Sequence, residues 1–139
     1  MPHLLSPRIS VAAALVATAC SSPTQPAGLV SVSPAAAAFS RAPDGAAVVS
    51  YTVVNPGAEP VRLTGSCGDD PAPTVERLTS GSWHQYAGGT CLAIYPVGAV
   101  VLAPTASRQA SVSLAEPGEY RLVLATDRGQ VTSVAFTVR

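Results

Sequence analysis

Residues 47–55 read AVVSYTVVN, and this stretch sets the kind of fold that the chain can form. Apolar side chains at Val49, Tyr51 and Val53 alternate with serine and threonine, which is the period-two pattern of a strand with one buried face. β-Branched and aromatic residues dominate the run, and they favour a strand over a helix. An Asn-Pro-Gly turn signal follows at once. We therefore predict a half-buried strand over 47–55.

The same alternation recurs along the chain, with a turn signal about every ten positions. The further candidate strands are 29–33, 61–65, 74–78, 83–86, 108–114, 120–126 and 131–138, with short apolar stretches at 91–95 and 99–102. A Thr-Ser-Gly-Ser segment after residue 78 predicts a hairpin. In the last strand, Val134, Phe136 and Val138 are expected to share the buried face. We expect roughly seven to nine antiparallel strands and no amphipathic helix.

Many half-apolar strands bury their apolar faces by packing two sheets face to face. Residues 117–122 read PGEYRL and resemble the entry to the penultimate strand of immunoglobulin-like and fibronectin-like domains. In those domains the tyrosine hydroxyl bonds back to nearby backbone, so the resemblance implies a tyrosine corner at Tyr120. Leu122 stands where antibody domains have a cysteine, so their inter-sheet disulfide is not implied. The predicted fold is an all-β, immunoglobulin-like β-sandwich over 29–139, a fold that hosts many functions.

The first twenty residues have the layout of a secretory signal, with Arg8 followed by a short apolar run and small residues. A membrane-spanning helix needs about twenty apolar residues, and this run is shorter. Its end, Ala-Thr-Ala-Cys at 17–20, resembles the lipobox of bacterial lipoproteins, although leucine is commonest where Ala17 stands. The resemblance implies cleavage before Cys20 and a diacylglyceryl group on its sulfur. The alternative is an ordinary secretory signal cut after Ala19, which leaves Cys20 as a free thiol.

We therefore divide the chain into a signal peptide (1–19), a lipidated cysteine with a Pro/Ser-rich tether (20–28) and one domain (29–139). At about 3 Å per residue the tether spans on the order of 25 Å. The lipid on Cys20 makes the membrane one expected partner. No aspartate follows Cys20, and in Gram-negative lipoproteins an aspartate there commonly marks inner-membrane retention. We expect a cell-envelope location, at the periplasmic face or surface of the outer membrane if the organism is Gram-negative.

The two remaining cysteines, Cys67 and Cys91, form an even pair in what is then an oxidising compartment. A disulfide is the expected state of such a pair. It would close a loop of about 25 residues, for which the chain-entropy estimate is roughly 3 to 4 kcal/mol. A redox-active pair is the weaker interpretation, because the Cys-x-x-Cys spacing is missing.

Charge and composition exclude several classes of function. The chain has eight arginines, no lysine and eight acidic residues, and its formal net charge is zero. The arginines are scattered, so no basic stripe exists for nucleic acid, and we expect no nucleic-acid partner. A hydrophobic fraction of 47% is not that of a disordered chain.

Candidate catalytic and metal-binding groups are few. Outside the signal segment His84 is the only histidine, and no nucleophile motif accompanies it. Zinc needs three or four convergent ligands, which the sequence does not supply. Asp69 and Asp70 could contribute to a calcium site, but we interpret them as a solvated turn. We expect no enzymatic activity, no metal and no cofactor.

The aromatic residues around the predicted hairpin suggest a contact surface. Trp83 and Tyr86 point to opposite faces if 83–86 is a strand, so they cannot form one platform. We expect Trp83 to pack inward near the disulfide, and His84 and Tyr86 to face solvent. His84 and Tyr86, together with the adjacent Gly88 and Gly89, form the candidate binding surface.

These observations favour a non-enzymatic, lipid-anchored module of the cell envelope that binds an unidentified envelope protein or a glycan. Two alternatives stay open. One is a protease or hydrolase inhibitor that presents a loop made rigid by the Cys67–Cys91 disulfide. The other is a carbohydrate-binding module that uses Tyr86. A hydrolase that depends on His84 is the least favoured reading.

Overall fold

A computed structural model describes residues 29–86 and 99–139. In these two ranges the chain forms strands joined by turns, and no helix there is long and apolar enough to cross a membrane. The strands are β1 (Ser31–Pro34), β2 (Ala38–Phe39), β3 (Ala47–Val54), β4 (Val61–Leu63), β5 (Ser66–Cys67), β6 (Asp70–Pro71), β7 (Thr74–Thr79), β8 (Ser82–Gln85), β9 (Val100–Leu102), β10 (Ser107–Leu114), β11 (Gly118–Thr126), β12 (Gly129–Thr132) and β13 (Phe136–Val138).

The smaller sheet has the order β1-β3-β10, and both pairings are antiparallel. Its central strand is the stretch that the sequence singled out. Val49, Tyr51 and Val53 are buried and Ser50 is exposed, as the alternation predicts. β10 pairs with β3 without interruption over eight residues, from Ser107 to Leu114.

The larger sheet is built around β11. One side of β11 pairs with β12 and β13, and the other side pairs with β4 and β7. Leu63 of β4 faces Thr126 and Thr74 of β7 faces Val123, so β4 and β7 lie end to end along β11. They are two halves of one strand, interrupted by the β5–β6 hairpin. β8 extends the sheet beside β7, and β9 does so beside β4.

A close backbone approach marks the neck of the β5–β6 hairpin. The Ala72 N–H donates to the Gly65 carbonyl oxygen at 3.0 Å. A Cβ on Gly65 would lie 2.9 Å from the Ala72 carbonyl oxygen, which is too close for any other residue without a backbone shift. Glycine at this position lets the interrupted strand leave the sheet and return.

The final strand is also interrupted, which differs from the sequence prediction. The Ser133 hydroxyl accepts the Leu122 N–H at 2.9 Å and donates to the Val134 carbonyl oxygen at 2.7 Å. The register of pairing with β11 shifts by one residue between β12 and β13, as in a β-bulge. Val134 is 69% exposed, so the prediction that it shares a face with Phe136 was wrong.

The core lies between the two sheets and contains the alternate side chains that the strand patterns select. Its largest fully buried side chains include Tyr120, Phe136, Leu63, Leu102, Leu114, Leu122 and Leu124. The rings of Tyr120 and Phe136 stack with centroids 6.1 Å apart. The architecture is therefore the all-β, immunoglobulin-like sandwich that the sequence predicts, with more and shorter strand segments because two of its strands are interrupted. The prediction that all strands are antiparallel was wrong for β2, which pairs with β13 in parallel.

Two buried polar side chains tie loops to this core. The Tyr120 hydroxyl donates to the Glu116 carbonyl oxygen at 2.8 Å, which is the backbone bond that the resemblance to a tyrosine corner implies. The amide nitrogen of Asn55 donates to the carbonyl oxygens of Glu59 at 2.8 Å and Ala103 at 3.1 Å. Its oxygen accepts the Gly57 N–H at 3.1 Å. Asn55 thus joins the turn after β3 to the turn after β9.

Candidate functional site

The β7–β8 hairpin carries the surface that the sequence predicts. Its two turn residues, Ser80 and Gly81, have φ values of 52° and 80°. A two-residue turn in which both residues have positive φ matches the twist of the strands on either side. The register pairs Arg77 with His84 and Leu78 with Trp83. The hairpin therefore forms where the sequence places it, and its register decides which side chains are exposed.

Tyr86 lies on the core side of this hairpin. Its N–H donates to the Val75 carbonyl oxygen at 2.8 Å, and its ring meets Tyr120 edge-on with centroids 5.3 Å apart. Because Val75 is buried, Tyr86 packs against the core and is half-buried. The prediction that Tyr86 faces solvent was wrong. His84 is on the same face, farther from the core, and is exposed.

Trp83 lies on the outer face of the larger sheet, opposite to the predicted side. The Arg121 guanidinium sits 4.5 Å above the centre of the Trp83 ring. The Arg121 Nε is 2.6 Å from the Glu76 Oε2. Arg121 is thus shared between an ion pair and a cation–π contact, which is worth about 0.5 to 1 kcal/mol at exposed sites. Trp83 does not pack inward, and one face of its ring is already covered.

A second surface runs along the outer edge of β10. The Asn55 N–H donates to the Ala106 carbonyl oxygen at 2.9 Å, so these two residues form a hydrogen-bonded pair directly beyond the ends of β3 and β10. Antiparallel pairing alternates, so the backbone groups of Ser107, Gln109, Ser111 and Ser113 point away from β3. No strand within 29–86 or 99–139 pairs with that side of β10.

This edge has only one of the features with which proteins protect unpaired strands, the inward-facing charge of Arg108. β10 reads SRQASVSL and contains no proline, glycine or lysine. Its register with β3 has no bulge, and Arg108 is its one charged residue. Short length, bulges, prolines and inward charges are the usual protection against pairing with another chain. The edge is therefore a template for a further strand.

A pocket of about 190 Å³ opens beside this edge, between the smaller sheet and the segment that begins with β6. Its wall on the smaller sheet is formed by Ala110 and Val112 of β10, together with Tyr51 of β3. Its opposite wall is formed by Asp70 and Pro71 of β6 and by the residues that follow. We call it the edge pocket. Ala110 and Val112 are half-buried, so apolar surface is left in the pocket at this point.

Tyr51 connects the two walls of the edge pocket. Its hydroxyl donates to the Pro71 carbonyl oxygen at 2.7 Å. Burial, and secondly the nearby Asp70 carboxylate, raise the pKa of Tyr51 to about 12. The phenol therefore stays protonated and keeps this hydrogen bond across the physiological pH range. The bond fixes β6 beside β10.

One acidic side chain, Asp70, lines the edge pocket, and Asp69 precedes it in the chain. Asp69 and Asp70 are exposed, and neither forms an ion pair with another described residue. Arg108 donates to the Asp69 backbone carbonyl oxygen at 3.1 Å, and not to a carboxylate. The described part of the chain contains no group of three histidine, cysteine or acidic residues that could hold a metal ion.

Several predicted site residues lie outside the described residues. These are Cys20, Gly88, Gly89 and Cys91, and the side chain of Cys67 is not described either. β8 and β9 flank Cys91 in the sequence, and they pair with the two strands that flank Cys67. The Cys67–Cys91 disulfide stays a prediction, as does the lipid on Cys20.

No model of a known protein family matches this chain, and no curated protein sequence does. Among solved structures, it is similar to a PapD-like domain of human CEP192, with 17% identity over 95% of this chain and 94% of that one and a TM-score of 0.41. It is also similar to the CARDB domain of a Pyrococcus furiosus protein, solved in complex with di-metal ions, with 15% identity over 79% of this chain and 87% of that one and a TM-score of 0.40. A β-glucosidase from Listeria innocua matches with 10% identity and a TM-score of 0.40, over 79% of this chain and 16% of the enzyme. These similarities are too distant to carry a functional argument.

Proposed function

We propose that this protein is a lipid-anchored, non-enzymatic binding module of the cell envelope, and that its domain binds an extended strand of a partner protein along β10. The observation that carries this proposal is the outer edge of β10, which no strand of the described residues pairs with, beside the edge pocket. In strand addition, main-chain hydrogen bonds supply affinity, and pockets for alternate side chains supply specificity. β10 offers outward backbone groups at Gln109 and Ser111, and Ala110 and Val112 face the pocket between them.

The position of the predicted anchor suits this role. β1 and β10 are the two outer strands of the smaller sheet, with β3 between them. A tether that enters the domain ahead of β1 would therefore leave the edge of β10 free. A Cys67–Cys91 disulfide would hold the β5–β6 hairpin, which forms one wall of the edge pocket.

A protein partner is preferred over a glycan because Tyr86 and Trp83 lie on opposite faces of the hairpin and do not form one open platform. Sugar binding by stacking needs an open aromatic face. Tyr86 packs edge-on against Tyr120, and Arg121 covers one face of Trp83. His84 is exposed on the hairpin, away from the edge pocket, and has no role in this proposal.

Photo-crosslinking in intact envelopes tests the strand-binding role. A photoreactive residue at Gln109 should crosslink to a partner protein, whereas the same residue at His84 should not. Ser111→Pro should abolish the Gln109 crosslink, because it removes an outward N–H that β3 does not use. Ser111→Ala is the matched control and should keep it. A crosslink that survives Ser111→Pro in a folded protein would refute strand addition at β10.

Lipidation is tested separately. Labelling cells with a fatty-acid analogue should mark the protein, and Cys20→Ala should abolish the label and release the protein from the membrane fraction. An unlabelled wild-type protein would refute the anchor and leave the binding role of the domain to be judged by the crosslinks.

A further inference from the structure

We propose that the strand accepted by β10 is β10 of a second copy of this chain, so that two smaller sheets join into one continuous sheet. Arg108 of each copy then reaches Asp70 of the other. This inference rests on the proposed function, because it names the partner of the same edge.

Hydrogen bonding restricts the possible registers. The outward backbone groups belong to Ser107, Gln109, Ser111 and Ser113. In an antiparallel pair of two β10 strands, each hydrogen-bonded position must join two residues of this set. The registers that keep most of the strand paired are therefore centred on Ala110 facing Ala110, or on Ser111 facing Ser111. Both place apolar side chains of the two copies on the pocket side, where Ala110 and Val112 are half-buried.

Charge complementarity selects the Ala110-centred register. Arg108 pairs with buried Val53, so its side chain leaves β10 on the pocket side. In this register Arg108 of the second copy lies opposite Val112, which lines the edge pocket beside Asp70. In the Ser111-centred register Arg108 would lie opposite Leu114, which does not line the pocket. The two-fold symmetry makes the Arg108–Asp70 contact twice.

Like-charge repulsion does not oppose this pairing. Arg108 is the one charged residue of β10. In the Ala110-centred register Arg108 of one copy does not lie opposite Arg108 of the other, so no like charges meet between the two β10 strands. The bond that Arg108 now makes to the Asp69 carbonyl oxygen is exposed, so water can replace it when the side chain moves. Two domains held on one membrane would also meet at a raised effective concentration.

A charge-swap experiment tests the contact. Sedimentation velocity of the full chain in detergent should show a monomer–dimer equilibrium. Arg108→Asp and Asp70→Arg each place like charges at both contacts, and each should weaken dimerisation roughly fivefold or more. An equimolar mixture of the two variants restores opposite charges at both contacts and should dimerise like the wild type. Glu119→Arg, which changes an exposed acid elsewhere, is the matched control and should have no effect.

A cysteine scan tests the register. Ala110→Cys should form an intermolecular disulfide under mild oxidation, because this residue faces itself at a distance that a disulfide can span. Ser111→Cys should crosslink poorly, and the wild type supplies the background from its own cysteines. Efficient crosslinking through Ser111→Cys instead would overturn the proposed register.

The remaining outcomes separate this inference from the proposed function. A wild-type protein that stays monomeric at every concentration, or a mixture of variants that fails to dimerise, would overturn the second copy as partner. If Gln109 then crosslinks to a different protein, the strand-binding function stands. If Gln109 crosslinks to nothing and no dimer forms, both proposals are wrong.

Discussion

Replacing Tyr51 by phenylalanine isolates a single buried hydrogen bond and a titration that accompanies it. Tyr51→Phe keeps the ring, which is 3% exposed, and removes the hydroxyl that donates to Pro71 at 2.7 Å. The Pro71 carbonyl is then left without this partner inside the protein. Such a loss costs about 2 kcal/mol of unfolding free energy. For a domain of this size it should lower the melting temperature by ~10 °C.

The pH dependence supplies the sharper part of this prediction. The pKa of Tyr51 is about 12 in the folded protein and 10.0 in an unperturbed tyrosine. Below pH 10 both states are protonated, so this group contributes its full stabilisation there. Between pH 10 and 12 the unfolded chain has lost the proton and the folded protein has kept it. Stability therefore falls as pH rises, by at most about 1.4 kcal/mol per pH unit and roughly 3 kcal/mol in all.

Urea unfolding of the wild type and Tyr51→Phe at several pH values from 8 to 11 measures both parts. The chain has no lysine, so tyrosines and any free thiols are the side chains that titrate in this range. The two stability curves should be about 2 kcal/mol apart near pH 8 and should converge toward pH 11. Asp70→Asn, which removes only the second cause of the shift, should keep most of the alkaline fall. Parallel curves for wild type and Tyr51→Phe would refute the reasoning.

Three further substitutions test other described contacts. Tyr120→Phe should lower the unfolding free energy by about 1 kcal/mol in urea titrations, because Glu116 loses its hydroxyl donor. Asn55→Ala should cost about 3 kcal/mol by the same measurement, since two loops lose a fully buried amide; a loss below about 1 kcal/mol would contradict its role. Trp83→Ala and Arg121→Gln, combined in a double-mutant cycle, should give a coupling energy of about 0.5 to 1 kcal/mol, and strict additivity would disprove the contact.

The sequence predicts the fold well where one face of a strand is deeply buried. Val49, Tyr51 and Val53 alternate with polar residues because β3 lies at the centre of its sheet with one face on the core. Tyr120, Leu122 and Leu124 of β11 are likewise buried on one face, although Val123 between them is also apolar and buried. In such strands a shift of the pairing register by one residue would expose the whole apolar set. The sequence pattern therefore determines which face of the strand is buried.

Prediction fails where the pairing depends on other parts of the chain. The hairpin around Trp83 and Tyr86 has large side chains on both faces, and its own pattern does not say which face is inside. The pairing of β7 with β11 decides this, because it sets Val75 against Leu122 in the core and thereby turns Tyr86 inward. The bulge that exposes Val134 depends on a side-chain bond from Ser133, which no periodic pattern reveals.

The candidate site was missed for a related reason. The alternation over 108–114 indicates a strand, but an edge strand and a central strand have the same periodicity. Only the sheet order shows that one side of β10 is unpaired among the described residues. The available signal was its composition: the strand reads SRQASVSL, with no proline, glycine or lysine and a single charge, and so has little of the usual edge protection.

The place of β11 in the chain has a consequence for how the protein is made. This strand holds the larger sheet together, since it pairs with strands on both of its sides, yet it spans only residues 118–126 near the end of the chain. A ribosome that has made residues 1–117 has produced every strand on one side of β11 without the strand that joins them. The nascent chain therefore cannot complete this sheet until synthesis is nearly over. For a chain exported to the cell envelope, as we propose, this order of synthesis keeps the larger sheet incomplete until nearly the whole chain has been made.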